Sequence, residues 1–144
     1  MKIGLIHSLD FSKEALEIKN KLEEKGHQVS LCYSVSKVKA GKLTVEYTKS
    51  LKDNGTFHNY TISKDLIRWN FERLKKDEAI LVVNLDKNGI KNYIGGNTFL
   101  EMGFAHVLNK KIFLWHDIPD LNYRDEILAM QPIILKGDLT KIVI

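Results

Sequence analysis

Apolar positions along this chain follow two rhythms, short unbroken runs and helical spacing, and the two alternate. Ile3 to Ile6 is a short apolar run. After an N-cap at Asp10 or Ser12, Phe11, Ala15, Ile18 and Leu22 recur at helical intervals with charges between them. Gly26 stands where that helix should stop, and Val29 to Tyr33 is apolar again. The opening therefore predicts a β-α-β unit and a parallel sheet. Ser63 is the expected cap of a helix whose buried face carries Leu66, Ile67, Phe71 and Leu74. Ala79 to Val83 is wholly apolar, as a strand covered on both faces must be. Thr98 to Leu108 predicts a helix, Ile112 to Trp115 a strand, Tyr123 to Met130 a short helix beyond Pro119, and Ile133–Leu135 and 142–144 closing strands.

Only residues 34–61 break the alternation. Thr44 to Thr48 alternates like a strand and Asp53-Asn54-Gly55 is a turn signal, so this stretch predicts an inserted hairpin or lid over the sheet's end. The whole is expected to be one domain, residues 1–144. Its class is α/β, doubly wound in the Rossmann or flavodoxin-like manner, with a mostly parallel five-stranded sheet.

Between the Ala79–Val83 strand and the Thr98 helix lies a long polar, glycine-bearing loop from Asn84 to Asn97. In open α/β sheets ligands bind outside the carboxyl ends of strands, where such loops sit. Glu101 is expected in the first turn of that helix. On spacing alone it fits a capping box with Thr98, and the same carboxylate could serve as nucleophile, general base or acceptor for a sugar hydroxyl. Gly95-Gly96 lets backbone approach a ligand at a helix start that favours anions. Gly103, costly inside a helix, implies a close neighbour. Asp86 ends its strand as either a partner carboxylate or a loop cap. His7, His116 and Asp117 share the same sheet edge. His27, His58 and His106 have no metal-ligand spacing, and neither a metal nor a cofactor is predicted.

Composition narrows this little. The chain has 144 residues, 44% apolar and 28% charged, with a net charge of +4, which suits a globular protein burying roughly two-thirds of its unfolded surface. Five lysines and one glutamate between Lys37 and Lys52 offer a weak surface for an anionic partner. That is too little for a nucleic-acid binder, which shows a basic stripe with stacking aromatics. Cys32 is alone, so no disulfide framework forms within a chain. Without a signal peptide at Met1–Ile6 or any membrane-length apolar run, the expectation is a cytoplasmic protein.

Nearly the whole chain resembles the nucleoside 2-deoxyribosyltransferase-like superfamily, which includes the transferases and the 2′-deoxynucleoside 5′-phosphate N-hydrolases. The most specific piece is Thr98-Phe99-Leu100-Glu101-Met102-Gly103-Phe104-Ala105 followed by Lys110-Lys111-Ile112-Phe113. The loop from Asp86 to Thr98 sets it apart from either named enzyme. The resemblance implies that Glu101 attacks the anomeric carbon of a nucleoside or its 5′-monophosphate, with Asp86 or Asp65 as acid/base partner. Ser8 would hold a 5′-phosphate, and Gly96, Asn97 and Thr98 would meet sugar or phosphate, with His7, Asn70, Tyr93 and Gly95 around the substrate. It also implies a homodimer or higher homo-oligomer. Several family positions depart: the N-terminal tyrosine falls on Gly4, the glycine before Ser8 is His7, the helper aspartate falls on Asn70, and the transferases' second aspartate falls on Gly95. A non-catalytic nucleotide-binding module using the same pocket is the alternative.

Overall fold

Alternate residues of the central strands serve opposite faces of one sheet. In the computed structural model, which describes residues 1–143, strands β1 (Lys2–Ile6), β2 (Gln28–Leu31), β3 (Ala79–Val82), β4 (Lys111–Leu114) and β5 (Ile133–Ile134) pair in the order β2-β1-β3-β4-β5. Every pairing is parallel. Ile3, Leu5, Ala79, Leu81 and Phe113 pack against Ala15, Ile18 and Leu22 of helix α1 (Ser12–Glu24). Ile6, Ile80, Val82, Ile112 and Leu114 pack on the other face. Their partners are Leu74 of α5 (Leu66–Lys75), Met102 and Ala105 of α6 (Gly96–Val107) and Ile127 of α7 (Arg124–Ala129). The result is the doubly wound α/β domain the apolar rhythm predicts.

Four local expectations give way. Residues 34–61 form no hairpin but three helices, α2 (Tyr33–Lys39), α3 (Val45–Asp53) and α4 (Phe57–Lys64), so Tyr33 also leaves β2. Thr44 caps α3, its Oγ1 accepting from Tyr47 N at 3.1 Å, and five alternating residues could not overrule that cap. Ser63 lies within α4. The break before α5 is Asp65, at φ 47°, and Ile67 lies exposed. Thr98 and Glu101 make no capping box: α6 begins two residues earlier, behind Gly95, which places Glu101 beyond the first turn. A short 3-10 turn (Leu139–Lys141) occupies the C-terminal segment, and Ile142 packs into the α1-side core without a strand; residue 144 of the expected strand lies outside the described residues.

The chain leaves β1 for β2 and returns on the other side as β3. A crevice must open between the carboxyl ends of β1 and β3.

Candidate active site

That crevice holds a cavity of about 350 Å³, within the size range of small-molecule sites. Part of its wall comes from the ends of strands. His7 and Ser8 follow β1, Cys32 and Ser34 follow β2, and Lys87, Tyr93, Gly95, Gly96, Asn97 and Thr98 come from the loop after β3. Glu101 reaches it from α6, Asn70 from α5 and Lys52 from α3.

Glu101 is 6% exposed. Burial pushes its carboxyl up to about 7, against the pull of Arg73, whose Nη2 lies 3.3 Å from Oε2. Arg73 is itself held from behind. Its Nη1 donates to Ser30 Oγ at 3.0 Å and lies 3.7 Å from Asp77, and the Ser30 hydroxyl donates to Asp77 Oδ2 at 2.7 Å. Burial raises the pKa of Asp77, and Lys2 lies 3.9 Å from its other oxygen. A buried chain of charges thus runs from the sheet to the cavity.

Gly4 makes room for that chain. A Cβ there would come within 2.5 Å of Asp77 Oδ2 and 3.1 Å of Arg73 Nη1. Any side chain at this position would collide with the ion pair behind it.

His7 is buried, and burial holds its pKa below the usual histidine value. Its Nδ1 lies 2.7 Å from the Ser8 carbonyl, which only accepts, so Nδ1 carries the ring proton. Nε2 is left with a free lone pair and, among the described residues, no partner. Burial also pushes the Cys32 thiol up to about 11, keeping it neutral.

The opposite wall is cationic. Lys87 Nζ donates to Ser8 Oγ at 2.8 Å, pairs with Asp10 at 2.9 Å and lies over the Tyr93 ring. The loop carrying it is fastened internally. Lys87 and Ile90 exchange backbone bonds around Asn88-Gly89, both at positive φ, and Tyr93 N donates to the Leu85 carbonyl. Tyr123 donates to the Ile94 carbonyl. Buried Asn84 ties the loop to the carbonyls of His116 and Asp117, whose role here is that anchorage.

The cavity therefore gathers Glu101, His7, Ser8, Asn70, Tyr93, Gly95, Gly96, Asn97 and Thr98. It does not gather the two aspartates. Exposed Asp86 caps its own loop, accepting from Asn92 N at 2.9 Å, and Asp65 sits at the α4–α5 break, paired with Arg68 in solvent. A Cβ at Gly95 would press on the Tyr93 ring at 3.1 Å, whereas a Cβ at Gly103 would meet open space. Arg73, Lys52 and Lys87 were not singled out from sequence. The one signal for Arg73 was Asp77 four residues on, a helical ion-pair spacing.

No family model matches this sequence, and no curated protein does. Among solved structures the chain is similar to the CMP N-glycosidase BcmB of Clostridium botulinum. The two are 15% identical, with a TM-score of 0.51 over 93% of this chain and 85% of the other. The likeness is one of fold. Among the described residues no helix is long and apolar enough to cross a membrane.

Proposed function

We propose that this protein is a nucleotide N-glycosidase of the deoxyribosyltransferase-like kind, with Glu101 as nucleophile. The observation that carries the reading is a buried glutamate, paired with one arginine, opening into a cavity at the switch point of a fold shared with a CMP N-glycosidase. An oxocarbenium-like transition state is stabilised by an adjacent carboxylate. The Glu101 carboxylate would attack the anomeric carbon as the bond to the base breaks, and the electron pair would leave with the base. The Tyr93 hydroxyl is the proton donor we assign to that base, in place of Asp86 and Asp65. Water would then release the sugar and re-form the Glu101 carboxylate, its proton returning to the Tyr93 phenolate left by the first step.

The test is chromatographic detection of free base from a panel of ribo- and deoxyribonucleosides and their 5′-monophosphates, with and without an acceptor base. Release should fall on the order of 10⁴-fold or more in Glu101→Gln. Equal release by that variant would refute the assignment. The second reading is a non-catalytic nucleotide-binding module. It draws support from Glu101 being the one carboxylate that lines the cavity among the described residues, where glycosidases ordinarily use two. Thermal stabilisation by a nucleotide with no base released across the panel would establish it.

We further assign a stripe of α6, exposed at Leu100 and Val107 with half-buried Gly103 between them, to contact between copies of the chain. Leu100 lies at the cavity and the bare Gly103 surface admits a close helix. Sedimentation of Val107→Glu should report a shift toward monomer.

A further inference from the structure

The cavity does not end at its cationic wall. Ser8, Leu9, Lys52 and Lys87 line it on one side and, on the other, line a second chamber of about 200 Å³. Val45, Thr48, Lys49 and Asp53 of α3 close that chamber, with Asp10 and Asn88 opposite. Lys49 and Lys52 stand three residues apart on α3, hence on one helix face.

The charges here are unevenly matched. Asp10 is committed to Lys87, whose hydrogen bond holds that carboxyl below the usual range. Among the described residues neither Lys49 nor Lys52 lies within 4.0 Å of a carboxylate, although Asp53 shares the chamber. Lys52 has only the Phe57 ring, 4.9 Å from its Nζ. Partial burial lowers its pKa, and Lys87 repels it. Two ammonium groups sharing a wall are an unfavourable arrangement until an anion lies between them. One phosphate beside Ser8, Lys87 and Lys52 would satisfy that wall. It would leave Lys49 and the second chamber unused.

We propose that the ligand is a nucleoside di- or triphosphate, its first phosphate at the Ser8–Lys87–Lys52 wall and the following ones in the second chamber against Lys52 and Lys49. This deepens the nucleotide reading above and rests on it for the placement of the nucleoside. The phosphates take no part in bond breaking; they hold the sugar over Glu101.

The test is kept apart from catalysis by using Glu101→Gln, in which the phosphate walls are untouched and nothing is consumed. Titration calorimetry with cytidine, CMP, CDP and CTP, in chelator to remove divalent cations, should give a ladder of affinity. The step from mono- to diphosphate should be about tenfold or more, as charge-assisted hydrogen bonds imply. Inorganic tripolyphosphate should compete with CTP. Lys49→Gln should shrink the CTP-to-CMP ratio about tenfold, whereas Lys21→Gln, which removes an exposed charge near the other end of α1, should not. Equal affinity for CMP and CTP, an unchanged ratio in Lys49→Gln, or failure of tripolyphosphate to compete would each overturn the proposal. A ladder without base release by the unmodified protein would refute the glycosidase reading alone.

Discussion

The two walls of the cavity are built on opposite physical terms. On the α5–α6 side, one carboxylate is buried, and its countercharge is fixed from behind by Ser30, Asp77 and the space left at Gly4. Burial there shifts a proton equilibrium into the neutral range. On the α3 and loop side the cations are more accessible: Lys52 is exposed against one aromatic face, and Lys87 is set by Ser8, Asp10 and the Tyr93 ring. A sheet-anchored wall holds one group in place and tunes its protonation, as bond-making chemistry needs. A wall of short helix and loop grips charge and can adapt to its length. In the proposed function, chemistry and recognition are divided between them.

That division breaks most severely at Arg73. Removing one partner of a buried ion pair leaves the other uncompensated, at a cost of about 3–5 kcal/mol. Arg73→Met should lose that much stability at neutral pH, measured by denaturant unfolding. Should it fail to fold, Arg73→Lys keeps the charge but not the fork that spans Ser30 and Glu101. Base release by the parent should fall along an acid limb centred near 7, because in the proposed reaction only the carboxylate attacks. In Arg73→Lys that limb should move to higher pH. A stability loss with an unmoved limb would make Arg73 structural only.

The next effect concerns the burial of Glu101 itself. Its folded pKa of about 7 lies above its ordinary 4.5, so the folded state keeps a proton the unfolded chain has lost. Stability therefore falls as pH rises from 4.5 to about 7 and stays low above. The shift corresponds to about 3 kcal/mol. Glu101→Gln removes this penalty and should be more stable than the parent by up to that amount well above pH 7. The gain should vanish toward pH 4.5. His7, held neutral, works with the opposite sign, losing stability as pH falls below 6.5. The difference between variant and parent isolates Glu101, because both carry His7. No gain at alkaline pH would mean that Arg73 compensates the carboxylate fully.

How much of this was readable from the chain depends on whether the signal was local. The strands were legible because both faces of Ala79–Val82 are covered, which demands an unbroken apolar run. The loop after it was legible as a cavity wall because strand, glycine-bearing loop and helix follow one another in sequence. The support behind Glu101 was not, because it is assembled from β1, β2 and α5, and no spacing rule joins Gly4, Ser30 and Arg73. That Asp86 and Asp65 do not line the cavity was hidden for the same reason. Residue type and proximity in sequence suggested partners, and backbone geometry turned one to its own loop and the other to solvent.

On the cationic wall the effects are smaller. Lys87→Met removes an ion pair whose partners are 22% and 33% exposed, so its stability cost should be about 1 kcal/mol or less. Its effect on binding should exceed that. A charged hydrogen bond to phosphate contributes about 1.5–3 kcal/mol, so affinity for a 5′-monophosphate should fall roughly 10- to 100-fold, and more than affinity for the bare nucleoside. Equal weakening of both ligands would remove phosphate from this wall.

The smallest expected change lies farthest from the chemistry, at Thr44. Its hydroxyl oxygen satisfies the Tyr47 N–H at the start of α3, and Thr44→Ala should cost about 1 kcal/mol. The cost falls on one short helix, so amide exchange should quicken in α3 while the strands stay protected. Lys49 and Lys52 ride on that helix, within two turns of the cap. If the cationic wall recognises ligand through α3, Thr44→Ala should weaken nucleotide binding and leave the pH of the acid limb set by Glu101 where it was. A variant that moved the acid limb as well would show the two walls to be coupled through the cavity. Unaltered binding, with α3 frayed in the exchange data, would place recognition on Lys87 and its loop alone.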